Sequence, residues 1–291
     1  MTDFLKVSSL NFSWGDNHVL KDVEFSMQRN EIVAILGVNG AGKSTLIKCL
    51  NKILTPQSGS IQIGGTDISE FDLVTLSKLM SYVPQTVKSS FAMDVFDVAL
   101  IGRRPHIRWR IGQSDRDYVS HTLRYLGLED FAFRPFNQLS GGERQRVIIA
   151  KAIVQNPELY LFDEPTSDLD LKNQVSIMKR IRHLVSPEMG KKSALIAIHD
   201  INLAARFADK ILLFDEGKVK SFGKPSEVLT EDSISEVFGV SCVIIPLEED
   251  SSKIHIIINN EIVGSDYQIP EIDIIKNSDL NRNNGNEEDQ L

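Results

Sequence analysis

The hydrophobic and polar positions of this chain follow two different periods that alternate along its length. In VSSLNFSW, near the N-terminus, apolar side chains recur at every second residue, which predicts a strand. EIVAIL (31–36) is a continuous apolar run that ends at a glycine, as expected of a buried parallel strand. KSTLIKCLNKIL (43–54) has helical spacing, and we expect Pro56 to stop that helix.

The same alternation returns in the second half of the chain. LYLFDE and SALIAIHD are apolar runs that end in polar residues, with a helix predicted at 172–185 between them. KILLFDEGKVKSFG has the pattern of a hairpin that turns at Glu216-Gly217. Residues 90–155 interrupt this order with mostly helical patterns. The pattern predicts an α/β fold with a parallel sheet, interrupted by an inserted helical subdomain.

These patterns also suggest a division of the chain. We expect a main domain at 1–240, with the helical subdomain at about 86–155. Residues 241–270 contain two strand patterns joined by the acidic turn EEDSS, and we interpret them as a small packing or dimer-stabilising β segment. A regulatory ligand site is the alternative there, although no ligating cluster supports it. The Asn-rich, acidic residues 271–291 are expected to be disordered.

Composition narrows the functional classes. The chain of 291 residues is 42% hydrophobic and 25% charged, which is ordinary for a globular protein. Its formal net charge is −8, of which the segment 277–291 carries −3, so the remainder is still acidic. A large nucleic-acid footprint needs clustered cations, so we expect no nucleic-acid partner.

Other features of the composition are bland. Cys49 and Cys242 are far apart and stand in no metal-ligand spacing, so we interpret them as reduced packing residues. No apolar run fits a signal peptide or approaches the roughly 18 residues of a membrane span. If the protein works at a membrane, we expect other chains to span it.

The segment GVNGAGKST (37–45) carries the clearest chemistry. It fits the phosphate-loop pattern G-x-x-x-x-G-K-[ST], and it follows a predicted buried strand and opens a predicted helix, as that pattern requires. Backbone N–H groups and the helix N-terminus attract phosphate, while a lysine reaches the β- and γ-phosphates and a hydroxyl binds Mg²⁺. The predicted ATP-binding residues of this loop are Gly37, Asn39, Gly40, Ala41, Gly42, Lys43, Ser44 and Thr45.

LYLFDEP (159–165) places two carboxylates at the carboxyl end of a predicted strand, where ligands bind in open parallel sheets. We expect Asp163 to hold Mg²⁺, together with Ser44, and Glu164 to polarise the attacking water. Because neighbouring residues of a strand face opposite ways, the two acids can take separate roles.

LSGGERQRV (139–147) predicts a second helix start suited to phosphate. Ser140 and Glu143 fit a capping box. Gly141 and Gly142 weaken a helix, and their presence indicates that another backbone or ligand approaches closely there.

Together these segments resemble the ATPase subunit of an ABC transporter. GVNGAGKST, LSGGERQRV, LFDEPTSDLD and IAIHD occur in that family's order and spacing, over about residues 1–240. The resemblance implies an α/β P-loop NTPase core with a parallel sheet, an antiparallel β subdomain and an inserted helical subdomain. It also implies an ATPase with Mg²⁺ as cofactor, acting as a head-to-tail dimer with a second copy or a paralogue. In that dimer, ATP on the 37–45 loop of one subunit is covered by Ser140, Gly141 and Gly142 of the other.

The resemblance also assigns roles to single residues. Gln85 matches the glutamine that senses Mg²⁺ and couples to the membrane subunits, and His199 matches the histidine that contacts the γ-phosphate. Trp14 stands where an aromatic side chain stacks on adenine, with a core residue at a strand end as the alternative. Asp168 and Asp170 match the loop that crosses the dimer, although an acid in SDLD is less common than alanine or a small polar residue.

The transported cargo is inferred from resemblance alone. IGRRPHIRWRIG (101–112) contains the element Gly102-Arg103-Arg104-Pro105-His106, which is similar to importer ATPases for iron–siderophore, haem or cobalamin uptake. Zinc/manganese importers, nickel/cobalt importers, exporters and soluble ABC proteins acting on DNA or ribosomes are the alternatives. An importer implies permease subunits, a substrate-binding protein and a place on the cytoplasmic face of the membrane. We expect the arginines of 101–112 to meet acidic groups or helix ends of the permease, or lipid headgroups.

Overall fold

A computed structural model of the protein describes residues 3–86, 93–107, 109–167, 169–247 and 250–262. The predicted site residue Asp168 and the predicted disordered segment 271–291 lie outside the described residues. In those described ranges, no helix is both long and apolar enough to cross a membrane.

The elements are numbered in chain order. The strands are β1 Leu5–Trp14, β2 Asn17–Met27, β3 Ile32–Leu36, β4 Ser58–Ile63, β5 Thr66–Asp67, β6 Met80–Val83, β7 Leu159–Asp163, β8 Ser193–Ala197, β9 Lys210–Asp215, β10 Lys218–Gly223, β11 Val240–Leu247 and β12 Asp250–Glu261. The α-helices are α1 Lys43–Leu50, α2 Leu73–Leu79, α3 Val95–Leu100, α4 Gln113–Tyr125, α5 Gly141–Val154, α6 Leu171–Val185, α7 Ile201–Phe207, α8 Pro225–Val228 and α9 Glu231–Phe238.

The predicted parallel sheet is confirmed. Its strand order is β10-β9-β3-β8-β7-β6, with β9, β3, β8, β7 and β6 parallel and β10 antiparallel at one edge. Every residue of β3, β7 and β8 is buried, which explains their continuous apolar runs. The carboxyl ends of β3, β8, β7 and β6 lie side by side and deliver four of the predicted site segments to one edge.

The predicted antiparallel subdomain and helical insertion are also present. β2-β1-β4-β5 form an antiparallel sheet that shares a hydrophobic core with α1. Helices α3, α4 and α5 fill 95–154 and pack against the other side of the parallel sheet.

The prediction for α1 is wrong at its C-terminal end, because the helix stops at Leu50 and not before Pro56. Lys52 takes a left-handed backbone conformation, with φ 54°, and the N–H groups of Ile53 and Leu54 both bond the carbonyl of Lys48. The Lys52 ammonium is held by two main-chain carbonyls beyond β5, at 3.1 and 3.2 Å. The helix therefore ends in a local turn at Lys52, before the proline is reached.

The basic stretch 101–112 is used differently from our expectation. Arg103 pairs with Asp115 at 2.9 Å and donates to the carbonyl of Val154, at the end of α5, at 3.1 Å. His106 bonds the Gln155 carbonyl at 2.8 Å. Arg103 therefore finds both its acidic group and its helix end inside this chain, so it is not free to serve a permease. Arg104 and Arg110 are exposed, and permease docking stays a prediction for them.

The C-terminal strands β11 and β12 form the predicted hairpin. Cys242, Ile254 and Ile256 are buried in the main core, and the side-chain amide of Asn202 on α7 bonds both the N–H and the carbonyl of Ile256. Asp250, inside the predicted turn EEDSS, already pairs with Leu247. The domain boundary at 240 remains a prediction.

Candidate functional site

The loop 37–45 connects β3 to α1 and holds its lysine in place. α1 begins without a side-chain cap, since its N-cap is Gly42 in a left-handed conformation. The Lys43 ammonium folds back on the loop and donates to the carbonyls of Gly37 and Val38, at 2.7 and 3.0 Å. A side chain at Gly37 is excluded, because its Cβ would lie 2.0 Å from the Phe214 carbonyl oxygen.

Asp163, the last residue of β7, lies directly behind the start of α1. Its carboxylate accepts a hydrogen bond from the Ser44 hydroxyl at 2.7 Å and another from the Tyr82 hydroxyl at 3.2 Å. Burial, and then the charge and hydrogen bond of Asp163, raise the pKa of Tyr82, so this phenol stays a neutral donor. A hydroxyl and a carboxylate in contact are oxygen ligands of the kind that Mg²⁺ prefers.

Glu164 gathers two of the other predicted residues. Its carboxylate accepts a hydrogen bond from the side-chain amide of Gln85, which follows β6, and contacts the imidazole of His199, which follows β8. Our reason for its separate role was wrong, because Glu164 does not continue the alternation of the strand. It has left β7 with φ 53° and is held by a hydrogen bond from its N–H to the Ala197 carbonyl at 3.0 Å.

These groups surround one open cavity of about 660 Å³. Of the predicted residues, those that line it are Trp14, Asn39, Gly40, Gly42, Lys43, Ser44, Thr45, Gln85, Glu164 and His199. Trp14 is 56% exposed and packs edge-on against Phe12 at 5.1 Å, so it is not a core residue. Gly37 and Ala41 belong to the loop but do not line the cavity. Asp163 is buried and bonds the hydroxyl of Ser44, which does line it.

The electrostatics of the cavity suit a polyanion. Lys43 is buried, and desolvation lowers its pKa, while the charges of Glu164 and Asp163 act in the opposite direction. Its ammonium is bonded to carbonyls that an anionic ligand can replace as acceptors.

Ser140, Gly141 and Gly142 are not brought to this cavity. They line a separate one of about 650 Å³, together with Leu169, Asp170 and Asn173 from the segment that enters α6. The predicted capping box is confirmed: Glu143 accepts from the N–H and the hydroxyl of Ser140, both at 2.8 Å, and the Ser140 hydroxyl caps the N–H of Glu143.

Sequence reasoning missed two residues of this site. Val19 lines the cavity, and Tyr82 does not line it but bonds the buried carboxylate of Asp163. The position of Tyr82, three residues before Gln85 in a predicted strand, was a usable signal for it. Nothing in the sequence of β2 singles out Val19.

Known proteins are similar to this chain in sequence. The sequence model of the ABC transporter family matches residues 20–167. An uncharacterized ABC transporter ATP-binding protein of Methanocaldococcus jannaschii is 43% identical over 240 residues, covering 82% of this chain and 93% of that relative. The iron(3+)-hydroxamate import ATP-binding protein of Bacillus subtilis is 34% identical, over 83% of this chain and 90% of its own. A cobalamin import ATP-binding protein of Halobacterium salinarum is 36% identical over 80% of this chain, but only 58% of that relative.

Solved structures agree with the sequence comparisons. A putative metal-chelate type ABC transporter in an inward-facing conformation superposes with a TM-score of 0.76 at 30% identity, covering 89% of this chain and 98% of that one. A dimeric bacterial ABC transporter cassette superposes with a TM-score of 0.67 at 30% identity, covering 75% of this chain and 97% of that one.

Proposed function

This chain belongs to the family of ABC transporter ATP-binding subunits, and from that premise we propose that it powers an importer for an iron chelate or for cobalamin. ATP binding and hydrolysis follow from the family. The residues that perform them, the Mg²⁺ ion, the partners and the cargo are parts of the proposal.

One observation carries the catalytic part of the proposal. Segments that follow β3, β6, β7 and β8 bring Lys43, Gln85, Glu164 and His199 to one cavity. The Glu164 carboxylate contacts both the Gln85 amide and the His199 imidazole, and it lines the same cavity as the buried Lys43. These groups suit a phosphoryl-transfer site. There, positioning and charge stabilisation supply most of the catalysis.

Each residue then has a defined task. The N–H groups at the start of α1 and the Lys43 ammonium hold the phosphates of ATP. Glu164 accepts a proton from the attacking water, and Gln85 and His199 fix its carboxylate in place. Trp14 offers an exposed ring to the adenine at the rim of the cavity.

Ser44 and Asp163 would hold Mg²⁺, with Gln85 nearby. The ion supplies charge that offsets the negative charge of the transferred phosphoryl group. In the described part of the chain, no group of three or more His, Cys, Asp or Glu side chains could hold a metal. That finding agrees with Mg²⁺, which binds through one or two carboxylates plus the phosphates of its substrate.

The partners follow from how the two cavities are placed. Ser140–Gly142 face a cavity that is separate from the lysine of the same chain, so they are available to a second subunit. We propose a head-to-tail dimer with a second copy or a paralogue. This dimer would bind permease subunits at the cytoplasmic face of the membrane, and a substrate-binding protein would deliver the cargo.

The cargo is proposed from relatives and one sequence element. The relatives at 34% and 36% identity are named for iron(3+)-hydroxamate and cobalamin import. The element at 102–106 has contacts within this chain, since Gly102 packs against the backbone of α5 and Arg103 pairs with Asp115. It supports the proposed cargo only through its resemblance to that subfamily.

An uptake experiment tests the proposal. Cells that lack this chain but keep its permease would receive the parent chain, Glu164→Gln or Glu158→Gln. Glu158 lies at the opposite end of β7 and pairs with Arg29, so it is a matched control. We expect the parent and Glu158→Gln to restore uptake of a ferric siderophore, haem or cobalamin. Glu164→Gln should bind ATP but hydrolyse it about 10²–10⁴-fold more slowly, as for loss of a general base.

Two results would contradict the proposal. Normal phosphate release by Glu164→Gln would remove the carboxylate from the chemistry. Restored uptake of zinc or manganese, with none of the three chelates, would leave the ATPase intact and overturn the cargo.

A further inference from the structure

The cavity beside Ser140 contains a basic side chain with no assigned task. Arg146 lines this cavity with Ser140, Gly141, Gly142 and Glu143. It stands one helical turn after Gly142 and Glu143, so it shares their face of α5. In the described ranges, its Nε atom is buried without a hydrogen-bond partner, and the chain provides no ion pair for its guanidinium.

Arg144, a neighbour of Arg146 on α5, is bound to its own chain and serves as the comparison. Arg144 lies two residues earlier on the same helix and does not line the cavity. The Nε of Arg144 is also buried without a hydrogen-bond partner, but its Nη2 donates to the Asn137 carbonyl at 2.6 Å, which ties it to its own chain. The two arginines have the same charge and lie on the same helix. Within the described residues, they differ in that only the side chain of Arg144 donates a hydrogen bond to its own chain and only Arg146 lines the cavity.

The charges of the cavity explain why a cation is needed. Among the lining residues in the described part of the chain, Glu143 and Asp170 are acidic and Arg146 is the only basic one. Hydrogen bonds from Ser140, and then the charges of Arg134 and Arg146, lower the pKa of Glu143, which keeps it ionised. A carboxylate in the first turn offsets the attraction of the helix N-terminus for phosphate. Arg146 is the one positive charge among these described lining residues that can offset the two carboxylates on the face proposed to cover the triphosphate.

We propose that Arg146 is the cation that this chain lends to the ATP bound on the opposite subunit. Its fork of N–H donors suits phosphate or ribose oxygens. Its contact forms only when two subunits close on ATP, so the arginine acts on the closed dimer and not on the first binding of nucleotide. This inference rests on the proposed ATP-sandwich dimer.

The test measures closure in the Glu164→Gln background, which is expected to hold ATP. Analytical ultracentrifugation would give the ATP concentration at which half of the chains are dimeric, in Mg²⁺. We expect Arg146→Gln to raise that concentration at least tenfold and Arg144→Gln to change it less than twofold. Arg146→Lys, which keeps the charge but loses the planar fork, should fall between them.

A second measurement separates binding from structural damage. At chain concentrations too low for dimers, each variant would be titrated with a fluorescent ATP analogue. We expect all of them to match the parent, because Arg146 does not line the cavity that contains Lys43. If Arg146→Gln does not fold, the comparison of Arg146→Lys with Arg144→Lys decides.

The outcomes are distinct. Equal closure by the Arg146 variants and the parent would overturn the inference and leave the proposed function standing. A parent that binds ATP without forming dimers would overturn both.

Discussion

The two helix starts that the sequence predicts to bind phosphate, at α1 and at α5, are built in opposite ways. α1 begins at an uncapped Gly42, has no acid in its first turn, and carries Lys43 as its first residue. α5 begins at Ser140 with a complete capping box, and the carboxylate of Glu143 lies in its first turn. The N–H groups at the start of α1 have no side-chain cap and lie beside the cation of Lys43. At the start of α5, a side chain caps the helix and the carboxylate of Glu143 adds a negative charge.

This difference indicates which start binds ATP alone. Open N–H groups and a lysine are sufficient for an anion. The capped start of α5, with its carboxylate, is stable without a ligand. Its remaining N–H donors can then contact phosphate only when ATP is already bound to another subunit. The contrast therefore suggests an order of events, in which α1 takes ATP first and α5 of another subunit closes on it afterwards.

The largest expected effect is a loss of ATP affinity when the lysine of α1 is removed. Lys43→Ala should weaken ATP binding by the isolated chain about 100-fold or more, since each hydrogen bond to a charged group contributes roughly 1.5–3 kcal/mol. Ser140→Ala should leave that affinity unchanged and lower the rate of hydrolysis about tenfold. Titration with a fluorescent ATP analogue and a phosphate-release assay measure the two quantities.

Ser120→Ala is the control for this pair, because its hydroxyl bonds only the carbonyl of Arg116 on the exposed side of α4. A Ser140→Ala chain that loses affinity as strongly as Lys43→Ala would show that both helix starts serve one nucleotide within one chain.

A smaller effect is expected on the free energy of unfolding when the capping box of α5 is removed. Glu143→Ala removes one half of the capping box and should lower the free energy of unfolding by about 1 kcal/mol. Urea denaturation measures the change, with the exposed Glu129→Ala as control. An unfolding free energy equal to that of the parent would mean that the box does not stabilise α5, and its carboxylate would then need another explanation.

Much of this could be predicted from the sequence. Apolar runs that end at Gly37, Asp163 and His199 predict buried parallel strands, and parallel strands bring their carboxyl ends to one edge. The capping box at Ser140 could be predicted because it depends only on residues three apart. Local pattern and strand direction were sufficient in each case.

What could not be predicted depends on contacts between distant segments. Lys52, just beyond the end of α1, donates to the carbonyls of Ile68 and Phe71 in a segment that follows β5. The left-handed backbone of Glu164 depends on a hydrogen bond to β8, and the pairing of Arg103 with Asp115 depends on how α4 packs. The same charge at Arg103 that suggested an outside partner has its partner inside the fold.

Mixed dimers test most directly whether one ATP is held by the loop of one subunit and the α5 start of the other. One chain would carry Lys43→Ala and the other Ser140→Arg, which fills the second cavity, both in the Glu164→Gln background. We predict that neither chain alone retains ATP through gel filtration, whereas the mixture retains one ATP per two chains. Retention by the mixture no greater than by the separate chains would contradict the account.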